Sequence, residues 1–275
     1  MVEVEKNYKL GGLTAIIGGL IGIGLNFYFF LITYKPLIAA QAIKCGPGCE
    51  LVITYMLAAF NDIGIISGIL YCISAFGFFN KEKWAYNLAV VANVLALWTS
   101  FWPNIPILDV MGAGFTGFFP YYIFIFLPNI LLYLIFNLFV GKRNWGRILV
   151  GLLTRMAFIM AFINGTASLN IMYVKGLADM DNTLYVMSNR LFWLSAFGFG
   201  IVTIGIMLKP KKWVRMLGIA SSIISILFGI PMGYITTITK GEFSMYFGAP
   251  AMSLLLLFLF VIPTLWNKIL KTDES

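Results

Sequence analysis

The stretch YMLAAFNDIGIISGILYCISAFGFF (residues 55–79) is apolar enough to cross a bilayer as one helix, yet it carries Asn61-Asp62 in its interior. A hydrocarbon core about 30 Å thick needs roughly 20 apolar residues in helical geometry. The run extends back to residue 51, and seven more runs meet the same length requirement: 10–34, 84–102, 119–140, 146–173, 183–208, 213–237 and 245–267. The chain thus reads as an all-α, polytopic integral membrane bundle of eight transmembrane helices. Composition agrees. Of 275 residues, 60% are hydrophobic and 11% are charged, against about a quarter charged in a soluble domain. The gaps between runs are too short to hold a folded soluble domain. The leading MVEVEKNYK has neither a basic n-region nor a small-residue cleavage site, so the first run is read as a retained helix.

The charge pattern sets a direction. With the N-terminus on the cytoplasmic side, 13 of the 19 Lys and Arg residues fall in inner segments. Four (Lys35, Lys44, Lys175, Lys240) fall in outer segments, and Arg155 and Arg190 lie within spans. Basic residues accumulate on the cytoplasmic side of membrane proteins, which also accounts for the net charge of +8 without nucleic acid as a partner. The expected location is the cell membrane, with both termini cytoplasmic. Reporter fusions in the 36–50 connection and at the C-terminus are expected to report opposite sides; the same side for both would overturn this topology.

Two inner turns resemble each other: FFNKEKWAYNLAVVANVLALW and MLKPKKWVRMLGIASSIISIL each pass from a basic cluster through Trp into a helix. Trp84 and Trp213 are 129 residues apart, and Pro120 and Pro250 are 130 apart. Lys35 and Lys175 are 140 apart, which places about 11 extra residues in the first half, within loop 36–50. Residues 1–140 and 141–275 are therefore expected to be two copies of a four-helix unit. Four helices is an even number, so the copies are parallel repeats about an axis along the membrane normal. SAFGF recurs at 74–78 and 195–199, outside this register.

The repeat sets Asn61 against Asn189 and Asp62 against Arg190 (189 − 61 = 128). Asp62 is 18 residues from Asn80 and Arg190 is 19 from Lys209, so both lie about 27 Å above the inner boundary. Lone intramembrane charges are costly and usually pair or face a cavity, so Asp62 and Arg190 are the candidate intramembrane charge pair. The competing reading has Arg190 reaching the outer headgroups while Asp62 bonds locally. Arg155 lies about 12 Å in from Arg147, on LTRMAFIMAFINGTASLNIMY, the most polar helix of the chain. Arg155, Thr166 and Asn170 share about 60° of that helix with Ile159 and Phe162 between them; Asn164 and Ser168 face the other way. Arg155, Thr166, Asn170, Asn61 and Asn189 are the candidate cavity-lining residues, and Arg155 the candidate anion ligand. For the helix that carries Arg155 the alternative is interhelical hydrogen bonds together with a snorkelling Arg155.

KCGPGCE places Cys45 and Cys49 around a turn-forming Gly-Pro-Gly, where an oxidising exterior favours a disulfide. The spacing is C-x₃-C and the one other cysteine, Cys72, lies deep in a span, so a thiol relay lacks its second pair. The connection PNIPILDVMGAGFTGFF has no Lys or Arg and reads as an interfacial loop. In the first span Gly11, Ala15 and Gly19, and next to them Gly18 and Gly22, recur at four-residue spacing. Such stripes let helices approach closely, within a bundle or between copies.

The chain has no histidine, which removes His-ligated metals and Ser-His-Asp chemistry. Acids are too sparse for a clustered metal site. No enzyme activity, metal or cofactor is expected. Two functions stand. One is a facilitated carrier or channel for a small or lipid-like, anionic solute, suggested by the repeat, the intramembrane charges and prolines 120, 128, 231, 250 and 263. The other is a non-catalytic subunit or scaffold of a larger membrane complex, suggested by minimal loops and 25 Phe and 13 Met residues. Expected partners are membrane lipids, a small solute, and other membrane subunits or a homo-oligomer.

Overall fold

A computed structural model of the protein describes residues 7–46, 48, 50–112, 118–175, 183–208, 210–241 and 243–270. Among them there is no β-strand. Among the described residues seven helices are long and apolar enough to cross a membrane: α1 (Tyr8–Lys44), α2 (Leu51–Phe79), α3 (Ala85–Met111), α4 (Tyr122–Val140), α5 (Trp145–Met172), α6 (Thr183–Leu208) and α7 (Lys212–Thr239). An eighth apolar helix, α8 (Met245–Val261), is shorter. The expected run to residue 267 is broken at Ile262, which turns to extended backbone ahead of Pro263. A residue before proline is pushed out of the α region, so the helix stops there and a new one, Pro263–Leu270, begins.

Two other boundaries differ from the sequence reading. Residues 36–44, expected as loop, continue α1 past Pro36. Leu37 and Gln41, one turn apart, are buried at 0% and 5% exposure, and burial of that face outweighs the one hydrogen bond that proline removes. Likewise α3 resumes after Trp102-Pro103 as Asn104–Met111, where an interfacial loop was expected. Lys44 and Asp109, both assigned to loops by sequence, form an ion pair at 2.6 Å between the ends of α1 and α3. The pair is about half exposed. At the far end of α7 the chain leaves the helix through Gly241, whose positive φ of 71° lets its N–H reach the Thr237 carbonyl.

The chain divides into two compact units, residues 1–145 and 146–275. In the first, the glycine stripes of α1 meet α2. A Cβ on Gly18 would fall 2.7 Å from the Tyr71 ring, and one on Gly22 would fall 2.7 Å from the Gly68 Cα. The stripes thus serve packing inside the unit. In a membrane, where burial of apolar surface gives little drive, close backbone approach is what holds helices together. Asn26 donates to the Asn61 carbonyl at 3.1 Å between the same two helices. Asn93 joins α3 to α2 and to α4, donating to Tyr71 Oη at 2.8 Å and to the Asn129 carbonyl at 3.0 Å. Thr33 and Tyr121, 3.1 Å apart, link α1 to the turn that opens α4. The first unit is thus a four-helix bundle in which sequential neighbours pack and the last helix returns to the first.

The second unit has the same neighbour order. Asn189 of α6 donates to the Gly165 carbonyl of α5 at 2.6 Å. Ser195 donates to the Ser221 carbonyl of α7 at 2.8 Å. On α8, Pro250 packs where a Cβ of Gly229 would stand, and Phe260 where one of Gly218 would. Asn164 closes the bundle by donating to the Tyr246 carbonyl at 3.0 Å. The burial registers of α2 and α6 also coincide: each buried α2 residue between 57 and 78 has a buried counterpart 128 positions later in α6.

Candidate functional site

The most polar buried region of the second unit is built on α5. Thr154, Arg155, Asn164, Thr166 and Ser168 are all at most 6% exposed. Both faces of the helix are therefore inside the protein. Arg155 is 2% exposed, among the largest fully buried side chains, in mid-helix within an apolar run. Its guanidinium remains charged in such surroundings. Next to it, Thr154 accepts from Thr203 Oγ1 of α6 at 2.9 Å.

Three of the other four expected lining residues are taken up in helix bonding. Thr166 returns its hydroxyl to the Phe162 carbonyl of its own helix at 3.0 Å. Asn61 accepts from Asn26, and Asn189 donates to Gly165. Asn170 is half-buried and its amide oxygen receives no hydrogen bond among the described residues. Asn164, set on the opposite face by the sequence reading, together with Ser168 holds Tyr246 by its carbonyl and its hydroxyl. Asp62 and Arg190 are each exposed on the surface of their own unit. The expected Cys45–Cys49 disulfide needs Cys49, which lies outside the described residues, and Cys72 is a free, exposed thiol.

Two groups of polar residues escaped the sequence reading. In the first unit, Asn93 and Asn129 are 1% and 2% exposed, and each has an amide oxygen without a donor among the described residues. Both sit mid-helix in apolar strings, NLAVVANVLALW and FLPNILLYL, which is the signal that could have marked them. Wider π-type turns flank the second of them, at Tyr122–Phe126 and Phe136–Val140. In the second unit, the hydroxyls of Ser188, Ser225 and Ser253 are fully buried and lack a partner among the described residues. Ser225 and Ser253 lie on the α7–α8 seam, between the Gly218–Phe260 and Gly229–Pro250 contacts. Helical serines are common enough that spacing alone did not single them out.

Polar groups also finish the helix ends. Arg147 is 2% exposed; its Nε donates to the Ile206 carbonyl and its Nη2 to the Met207 carbonyl at 3.0 Å. Arg215 repeats this arrangement on α8, through the carbonyls of Phe260 and Val261. Arg143, 5% exposed, stands over the Tyr86 ring at 5.5 Å. No cluster of three or more His, Cys, Asp or Glu residues able to hold a metal is present among the described residues.

The helices define an all-helical, multi-pass membrane protein. Compared with protein-family models, curated proteins and solved structures, the chain has no significant match.

Proposed function

We propose that this membrane protein is a facilitated carrier or channel for a small anionic or lipid-like solute. The observation that carries the reading is Arg155, a permanent cation held at 2% exposure in the middle of an apolar helix. Intramembrane charges of this kind mark substrate and ion pathways. The partnerless buried hydroxyls of Ser188, Ser225 and Ser253 add polar groups able to bond a passing solute. Transport would run without proton coupling, because a proton relay needs intramembrane acids and Asp62 is the one acid well inside a span. The two units act as copies of one four-helix unit. The coincident burial registers of α2 and α6 and the shared neighbour order support this. The 13-to-4 distribution of basic residues supports a cell-membrane location with cytoplasmic termini.

The test is flux in liposomes loaded in turn with chloride, phosphate and small monocarboxylates. One of these anions is expected to leave protein-containing vesicles faster than empty ones. Arg155→Gln is expected to lower that flux about tenfold or more, a loss of at least ~1.4 kcal/mol of selective interaction. The same anion should raise the melting temperature of the natural protein and not that of the variant, which separates lost binding from lost folding. A panel with no flux and no thermal shift sinks the reading. A second reading, a subunit or scaffold in a larger membrane complex, is favoured by the exposed charges Asp62 and Arg190.

A further inference from the structure

Asp62 and Arg190 face outward at corresponding positions. In α2, Asp62, Ile66, Ile69 and Ile73 are exposed, and their 4-3-4 spacing puts them on one stripe. The positions 128 residues later in α6, Arg190, Leu194, Phe197 and Ile201, are exposed as well. Each stripe therefore presents one charge at its head and three large apolar side chains below it. The charges have opposite signs. Asp62 is 17 residues from Phe79 at the end of α2, and Arg190 is 18 residues from Leu208 at the end of α6. These separations correspond to about 25 and 27 Å of helix.

A charge on an outward face within a bilayer is disfavoured unless something polar meets it. Arginine can extend its stem toward headgroups. Aspartate cannot, since it has a single methylene and about 16 Å of largely apolar helix lies beyond it, through residues 51–61. A second copy of the chain inserted with the same orientation supplies the missing charge at the matching height, whatever the absolute depth in the membrane. We propose that the α2 stripe of one copy docks on the α6 stripe of another, with Asp62 against Arg190 and the apolar side chains below them interleaved. The charges fix partner and register, as buried polar groups do in paired helices, while the apolar residues supply close packing. This proposal stands independently of whether the chain carries a solute.

The test uses the full chain, expressed alone and purified in mild detergent, with oligomeric state read by light scattering and by photobleaching steps in bilayers. The natural protein is expected to be a dimer or larger. Asp62→Arg and Arg190→Asp are each expected to be monomeric. The double exchange Asp62→Arg/Arg190→Asp is expected to restore the oligomer, which a loss of folding in either single variant would not allow. In a background with the three cysteines changed to serine, two differently tagged chains carrying Asp62→Cys and Arg190→Cys should be joined by a short bismaleimide into a species bearing both tags. A monomeric natural protein overturns the proposal, as do single exchanges that leave the oligomer intact. So does a bismaleimide link formed only within one chain that carries both cysteines.

Discussion

Arg147→Ala is expected to be the most damaging single side-chain truncation at a helix end of this protein. The last carbonyls of a helix have no partner within it, and they form the negative end of its dipole. Arg147 meets both conditions for α6: its guanidinium donates to the successive carbonyls of Ile206 and Met207, and the side chain is 2% exposed. A hydrogen bond to a charged group contributes about 1.5–3 kcal/mol, and truncation also leaves two carbonyls where water does not readily reach them. A loss of about 3–5 kcal/mol is expected, read as a fall in midpoint in denaturant titration or thermal melting in detergent. Arg147→Lys should recover only part, because an ammonium is a single point donor where the guanidinium is a fork. Arg215→Ala is the internal comparison. It makes the same pair of bonds on α8, to Phe260 and Val261, but is only partly buried, so its loss should be smaller. Equal tolerance of both truncations would show that these bonds add nothing to stability.

Gly68→Ala is expected to separate α2 from α1. A Cβ at Gly68 would stand 2.8 Å from the Ile23 nitrogen and 2.9 Å from the Gly22 carbonyl carbon, and one at Gly22 would stand 2.7 Å from the Gly68 Cα. These are backbone atoms, so no rotamer change relieves the clash and the helices themselves must move apart. Overpacking costs about 1–3 kcal/mol where side chains can adjust. Here a loss at or above the top of that range, about 3 kcal/mol, is expected for alanine, and valine should prevent accumulation of folded protein. Gly24→Ala is the control: a Cβ there meets nothing within 4 Å, and its stability should change by less than about 1 kcal/mol. The measurement is the melting temperature of the detergent-solubilised protein for the natural chain and the two alanine variants, and the yield of folded protein for Gly68→Val. If Gly68→Ala and Gly24→Ala melt together, the close approach of α1 and α2 does not hold the unit.

Both predictions concern residues whose importance is unequally written in the sequence. The four-residue spacing of Gly11, Ala15 and Gly19 and of Gly18 and Gly22 is visible along the chain, and it implies a close neighbour. It does not say which helix that neighbour is. The partner surface on α2 includes Gly68 and the rings of Tyr71 and Phe78, and nothing periodic distinguishes these from other apolar residues of that helix. Arg147 was less legible still. In the sequence it is one more basic residue beside Lys142 and Arg143 at an inner turn, and the positive-inside count treats it as a solvated charge. Folding buries both arginines, one on the carbonyls of α6 and the other over Tyr86.

What the sequence determined by itself is the helical, membrane-crossing character of the chain. The reason is local and unconditional: a backbone in hydrocarbon must satisfy its own hydrogen bonds, so apolar runs of sufficient length become helices whatever they pack against. The starts of α2, α5, α6 and α7 follow the apolar runs to within a residue or two for that reason. What only the tertiary structure decided is where a helix continues through a residue that locally disfavours it, and which polar groups meet. Pro36 permits a continuing α1 because Leu37 and Gln41 find a buried place beyond it, whereas Ile262-Pro263 ends α8. The polar face of α5 divides between the Tyr246 carbonyl, the Gly165 bond to α6 and the buried Arg155 according to which helices surround it. These choices depend on packing between residues far apart in the chain, and a 3.6-residue period carries no record of which partner will stand on the other side.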